Sequence, residues 1–216
     1  ANGGTPNWGT NWGAGDVMYA NLDGKEGVNN GSNTLEDHGD LTIIGNNTPR
    51  YNFGLTLTGA WKGFDFSVFL QGVMKRDYWL DGPYFWGANG GLWQSTAFKE
   101  HMDYWRPEGD PLGANTNAYY PKPYFNTDKN QKVQSGYLQN AAYCRLKNAQ
   151  IGYTLPKIWT RKAAMESVRV YVSGDNLVTF SGISGVFDPE LLGSDWGDGK
   201  LYPLQRTISI GLNVNF

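Results

Sequence analysis

RYNFGLTLTGAWKGFDFSVFLQG, residues 50–72, alternates apolar and polar side chains through two runs joined at Lys62-Gly63. In the first run Tyr51, Phe53, Leu55, Leu57 and Trp61 share one face, and Asn52, Gly54, Thr56, Thr58 and Ala60 share the other. In the second, Phe64, Phe66, Val68 and Leu70 stand against Asp65, Ser67, Phe69 and Gln71. Successive side chains of a strand point to opposite faces, so this pattern predicts a β-hairpin with one register.

The same period recurs downstream. In TISIGLNVNF, residues 207–216, the apolar Ile208, Ile210, Leu212, Val214 and Phe216 alternate with Thr207, Ser209, Gly211, Asn213 and Asn215. VRVYVSGDNL sets Val168, Val170 and Val172 against Arg169, Tyr171, Ser173 and Asp175. YCRLKNAQIGYTL changes parity midway: Cys144 and Leu146 lie on one, Ala149, Ile151 and Tyr153 on the other. One extra residue restores a common face, so a bulge is expected near Lys147-Asn148. PKIWTRKAAMES reads as a connector with one helical turn. The sum is five strands whose connections alternate in length. The short ones are 61–64 and 155–167; the long ones, 1–49, 74–142 and 179–203, all fall at one end of the sheet.

Composition narrows the class. The 216 residues carry a net charge of −2, which argues against a nucleic-acid binder. Charged residues are 18%, below the about 25% of soluble domains, while aromatics reach 15% and glycines number 29. No apolar run approaches the ~18 residues of a membrane helix, so a membrane role would have to use strands. The single Cys144 excludes an internal disulfide and reads as a small packed side chain. The start, ANGGTPNWGT, has neither a basic segment nor an apolar one, and reads as a loop cut from something upstream.

Strands of a soluble sandwich also alternate, so alternation alone does not settle the class. Three further features favour an all-β, antiparallel transmembrane barrel. Short turns at one end and long loops at the other are the pattern of such barrels. The polar faces carry Thr, Ser, Gly and Asn more than Lys and Glu. From Tyr51 to Trp61 the strand runs roughly 33 Å; tilted by ~45° it rises roughly 24 Å, against an apolar band of about 25 Å edged by aromatic girdles. Barrels in lipid have about eight strands or more and no open edge, so five strands are expected to be part of something larger.

In family order, GDVMYANLDG, DHGDLTIIGNNTPRYNFGLTLTGAWKGFDFSVFLQGVMKRDYW, HMDYWRPEGDP, YLQNAAYCRLKNAQIGYTLP, VRVYVSGDNLVTFSGI, FDPE and YPLQRTISIGLNVNF resemble the C-terminal part of SusC/RagA-type TonB-dependent outer-membrane transporters. The resemblance covers nearly the whole chain. It implies five C-terminal strands of a barrel of about 22, with residues 1–49 as an extracellular segment and 50–216 as barrel strands. Outer loops then fall at about 74–142 and 179–203. It also implies partners: the N-terminal plug and remaining strands, a SusD-like surface lipoprotein, the TonB–ExbB–ExbD complex acting through the plug part, outer-membrane lipid, and an oligosaccharide or peptide cargo. The implied location is the outer membrane of a Gram-negative bacterium. Polar Ser209, Gly211, apolar Val214 and terminal Phe216 resemble the assembly signal of such barrels.

Candidate sites follow from residue chemistry. Trp79, Trp86, Trp93, Trp105, Tyr119 and Tyr120 lie in the long aromatic loop, where flat rings stack on sugar rings and carry a hydrogen-bonding edge. The competing reading is that they hold the loop together or meet the lipoprotein. Trp86 and Trp93 flank the Gly-rich WGANGGLW, a setting expected to leave rings accessible. Asp65, Gln71, Arg145 and Arg169 fall on polar strand faces and are expected to form lumen ion pairs and hydrogen bonds, with contact to cargo or plug as the alternative.

The family often shows a calcium-like D-x-N-x-D-G pattern near residues 16–29, but here Lys25 follows Asn21 and Asp23. An ammonium at a ligand position predicts no metal, with Lys25 paired to a carboxylate. No cofactor is expected. His38 and His101 lack partners at zinc spacing, and no nucleophile or phosphate-binding motif occurs. Asp188 and Glu190 in FDPE are expected to bond locally rather than act as an acid–base pair. The expected function is therefore import without chemical change, not enzymatic. The alternative from another class is a soluble carbohydrate-binding β-sandwich; a glycan-degrading enzyme is disfavoured.

Overall fold

The computed structural model describes residues 12–88, 95–125, 127–193 and 199–216. The described residues fall into two compact units. One is a sheet drawn from Asn46–Tyr78, Gln139–Leu192 and Gly199–Phe216; the other is a loop unit drawn mainly from Ala1–Gly45 and Trp79–Leu138.

The sheet contains β1 (Arg50–Trp61), β2 (Phe64–Lys75), β3 (Asp77–Tyr78), β4 (Gln139–Thr154), β5 (Ser167–Gly182) and β6 (Thr207–Asn215). Its order is β1-β2-β4-β5-β6, antiparallel throughout, with β3 also pairing β4. The five strands read from the sequence are all present. The sixth, β3, is two residues long, too short for any period to announce it. β4 begins at Gln139 and β5 reaches Gly182, both inside stretches read as loops. Backbone pairing continues there after side-chain alternation has stopped.

Register aligns the two faces. One row runs Gly59, Phe66, Ile151, Val172, Ile210 across the sheet; the next runs Leu57, Val68, Ala149, Gly174, Ile208. The expected bulge is at Lys147: Phe69 pairs with Asn148 and Leu70 with Leu146, leaving Lys147 unmatched. That extra residue brings Leu146 onto the face of Ala149 and Ile151. β5 answers with a shift of its own opposite, where Asn176 takes a left-handed φ of 51°.

The apolar face is bare. Leu57 is 49% exposed, Ile151 57% and Ile210 80%. A water-soluble sheet buries such a face, and uncovered apolar areas of this extent mark a partner or membrane surface. The opposite face is threaded by long polar side chains lying over glycines. The Arg169 guanidinium runs over Gly152 to Asp65, with Nε 2.9 Å from Oδ1. It also sits 4.9 Å from the Tyr171 ring, and Tyr171 in turn occupies the space a Cβ at Gly211 would need.

The loop unit has little regular structure: one helical turn α1 (Pro83–Trp86), 3-10 turns at Lys99–Met102 and Ser135–Tyr137, and isolated bridges Tyr104–Tyr120 and Arg106–Asn115. Its core is Val28, Leu80, Phe85, Trp86 and Tyr120. The 155–167 connector holds the expected single turn, α2 (Lys157–Thr160). Among the described residues no helix is long and apolar enough to cross a membrane.

Candidate functional site

The aromatic loop builds a pocket on α1. Pro83 presets the first helical φ, and Gly82 and Gly87 flank the turn at φ 86° and 70°, values that favour glycine. This tight excursion turns Phe85 and Trp86 inward, to 1% and 6% exposure. The Phe85 ring meets Trp86 edge-on at 5.1 Å and Tyr120 at 5.7 Å, and Trp86 meets Tyr137 at 4.9 Å. Burial pushes the Tyr120 hydroxyl well above its ordinary value and that of Tyr137 to about 12, so both stay protonated. His101 Nδ1 accepts from the Phe98 N–H at 3.0 Å, so Nε2 carries the proton and donates to the Phe85 carbonyl at 3.1 Å.

Beside this cluster lies a cavity of about 440 Å³ lined chiefly by Trp86, His101, Met102, Tyr104, Tyr120 and Phe125. No Asp, Glu, Lys or Arg lines it. The Trp86 Nε1 donor is buried with no acceptor among the described residues. That is an unmet demand of the kind a ligand carbonyl satisfies.

The aromatic residues singled out in the sequence separate here. Trp86 and Tyr120 share the pocket wall. Trp79 stands 5.8 Å from Trp86, and Tyr119 packs edge-on to Tyr120 at 4.9 Å. Trp105 packs over Gly15 instead. Trp93 lies outside the described residues. The glycines around Trp86 do not leave its ring open, because the α1 turn points it into the core.

A second feature of this unit had no sequence signal. Lys129 Nζ lies 2.9 Å from Asp16 Oδ2, with the two side chains 6% and 2% exposed. Asn130 donates to Asp16 Oδ1 at 3.0 Å and Gly13 N–H to Oδ2 at 2.9 Å. Val17 N–H donates to Asn130 Oδ1 at 3.0 Å, and Lys122 N–H to the Gly15 carbonyl at 2.8 Å. Together these strap the segment around Asp16 to the segment around Lys129. Burial raises the Asp16 carboxyl, but hydrogen bonds from Asn130, Lys129 and Gly13 outweigh it and hold the group below its ordinary value.

In the segment that invited a calcium reading, Lys25 Nζ lies 3.5 Å from both Asp23 and Asp37, the carboxylate pairing its position suggested. Asp40 accepts backbone N–H groups from Leu22, Asp23 and Asn29.

On the sheet's polar face all four singled-out residues are in place. Asp65 pairs with Arg169, and Gln71 sits opposite Arg145 in register. Arg145 is buried, with Nη2 2.8 Å from Asp188 and Nη1 2.9 Å from Glu190; the latter approach is a charge contact without hydrogen-bond alignment. Lys147, the bulge residue, pairs with Glu190 at 3.0 Å, and Asp188 also accepts the Glu190 N–H. The FDPE carboxylates thus bond to the backbone, as expected, and clamp two strand cations as well. Two partnered carboxylates do not make an acid–base pair.

No family model matches the chain. It is similar to TonB-dependent receptor P3 of Formosa agariphila, 30% identical over 215 residues, covering 94% of this chain and 19% of that protein. TonB-dependent receptor SusC of Bacteroides thetaiotaomicron is 26% identical over 193 residues, 87% of this chain and 17% of that one. Among solved structures, the RagAB peptide transporter superposes with TM-score 0.60 at 28% identity, over 81% of this chain and 18% of that chain. The RagAB peptide importer in its closed-closed state gives 0.62 at 23% identity, over 93% and 21%, and bears on the fold alone. The chain therefore spans about a fifth of the length of the relatives it matches. These relatives are receptors and transporters, not enzymes. The chain belongs to the TonB-dependent receptors of the SusC and RagA type and corresponds to a C-terminal segment of their barrel.

Proposed function

We propose that this chain supplies wall strands and loops of a TonB-dependent importer in the outer membrane of a Gram-negative bacterium. The observation that carries the reading is the bare apolar face, continuous across β1, β2, β4, β5 and β6, backed by a polar face of ion pairs and glycines. The first faces lipid and the second the lumen. Residues 1–49 and the long connections then lie outside the cell, and the short ones in the periplasm. The remaining strands and the plug complete the barrel, TonB–ExbB–ExbD energises it, and a SusD-like lipoprotein meets the outer loops. Ser209, Gly211, Val214 and Phe216 act as the barrel assembly signal. Single cysteines in the whole, otherwise cysteine-free transporter test the faces. Ile210→Cys should react only with a lipid-soluble maleimide and Ser209→Cys with a water-soluble one. Equal labelling of both by the water-soluble reagent overturns the reading.

Of the two cargo classes, the loop pocket favours peptide. An uncharged wall with one unmet indole donor suits an apolar side chain beside a carbonyl better than a hydroxyl-dense sugar. RagAB, one similar structure, is a peptide transporter. Trp86→Ala and Tyr120→Ala should each cut peptide uptake by the whole transporter; unchanged uptake by both removes the pocket from the cargo path.

A further inference from the structure

The end of the sheet that carries the short connections presents a surface unlike a solvated turn. The Trp61–Phe64 turn and the connector around α2 sit side by side, because β2 and β4 are neighbours and Thr154 N–H donates to the Gly63 carbonyl at 2.8 Å. Trp61 is 70% exposed, Ile158 75% and Trp159 61%. The connector instead buries Thr160, and α2 packs against β5 at the edge of the apolar face. Around these apolar groups stand Lys62, Lys157, Arg161 and Lys162, all exposed, with Lys62 Nζ 4.8 Å from the Trp61 ring. None of the four has a carboxylate within ion-pair distance among the described residues. The one acid in the connector is Glu166.

We propose that these two turns form a binding site for the phosphate headgroups of anionic phospholipids, phosphatidylglycerol or cardiolipin, in the inner leaflet. The site rests on the membrane reading above. Trp and Ile exposed in water are unfavourable, but at a bilayer interface an indole sits at headgroup level while its neighbour reaches the acyl chains. Uncompensated cations beside them then meet phosphate, whereas a solvated turn would carry mixed charge. The apolar face can hold any acyl chain; the cations are what select a headgroup. Clustered Lys and Arg near an anionic leaflet strengthen binding about fivefold each.

The test uses the whole transporter in vesicles of mixed phosphatidylglycerol and phosphatidylcholine, extracted gently and analysed by native mass spectrometry for retained lipid. The triple variant Lys157→Ser, Arg161→Ser, Lys162→Ser should lose retained phosphatidylglycerol relative to phosphatidylcholine by at least about fivefold. Trp159→Ala should lower retention of both lipids, and Lys200→Ser, on a long connection, should change neither. An unchanged ratio in the triple variant, with intact heat-modifiable migration, overturns the site. Displacement of the lipid by added inorganic phosphate would show a free-anion site instead. A periplasmic protein co-purifying through these cations in place of lipid would also overturn it. Failure of the parent protein to enter vesicles would overturn the membrane reading itself.

Discussion

Replacing Asp16 by Asn removes one charge and almost no volume, so it isolates the electrostatics of the strap. Lys129 would keep its burial and its rings, with Nζ 4.1 Å from Tyr124 and 5.1 Å from Trp12. Removing one partner of a buried pair costs about 3–5 kcal/mol, because the other charge is left uncompensated. The rings, and the carboxamide oxygen that remains, place this case at the lower end, about 3 kcal/mol. At about 1.4 kcal/mol per factor of ten, local opening becomes roughly a hundredfold more frequent. Amide hydrogen exchange on the whole transporter reads this directly. The Val17 and Lys122 amides, which close the strap, should exchange about a hundredfold faster, while the Phe66 and Ile151 amides in the sheet stay unchanged. Adding Lys129→Met to Asp16→Asn removes the orphaned charge and should recover much of the protection. Exchange at Val17 and Lys122 within about threefold of the parent in the single variant would refute the reasoning.

The same strap gives a pH dependence. Asp16 titrates below its ordinary value of 3.8 in the folded protein, so its contribution is complete above that value and is lost as pH falls through the depressed one. Exchange at Val17 should be flat after correction for intrinsic rates down to about pH 5 and accelerate in strong acid. Gly211→Val sets a branched side chain against the Tyr171 ring, costing about 1–3 kcal/mol of overpacking. Heat-modifiable, folded protein in outer-membrane fractions should drop, and Tyr171→Ala should restore it. Arg145→Met leaves Asp188 with the Glu190 N–H and Glu190 with Lys147, a loss of about 3 kcal/mol or more. Limited proteolysis should then cut the segment around Asp188 while the β1–β2 hairpin stays intact.

The strands were legible because one physical rule, two faces with different solvents, acts on every residue of them. Leu57, Val68, Ala149 and Ile208 could be assigned to one side from sequence alone, and so could the bulge, because a change of parity has few causes. Asp65 with Arg169 was half legible: both sit on polar faces, but which cation takes which anion is set by register. The loop unit obeys no period. Asp16 and Lys129 each looked like a solvated charge among glycines, and only the fold brings them together. Trp86 was misjudged as accessible because neighbouring glycines were taken as openness, whereas Gly82 and Gly87 serve the tight turn that buries it. PYFW, with Pro first and two adjacent rings, was the available signal.

Lys147 makes the strand behave like a message with a frame. Upstream of it the even-numbered residues speak to one solvent, downstream the odd-numbered ones do. Deleting that single position would not shorten β4 slightly. It would exchange the audiences of everything beyond it, sending Asn148 and Gln150 toward hydrocarbon and Ile151 and Tyr153 toward water. Insertions and deletions in such walls are therefore tolerated in pairs or at turns, and a search that assumes one unbroken period will see this strand as two fragments.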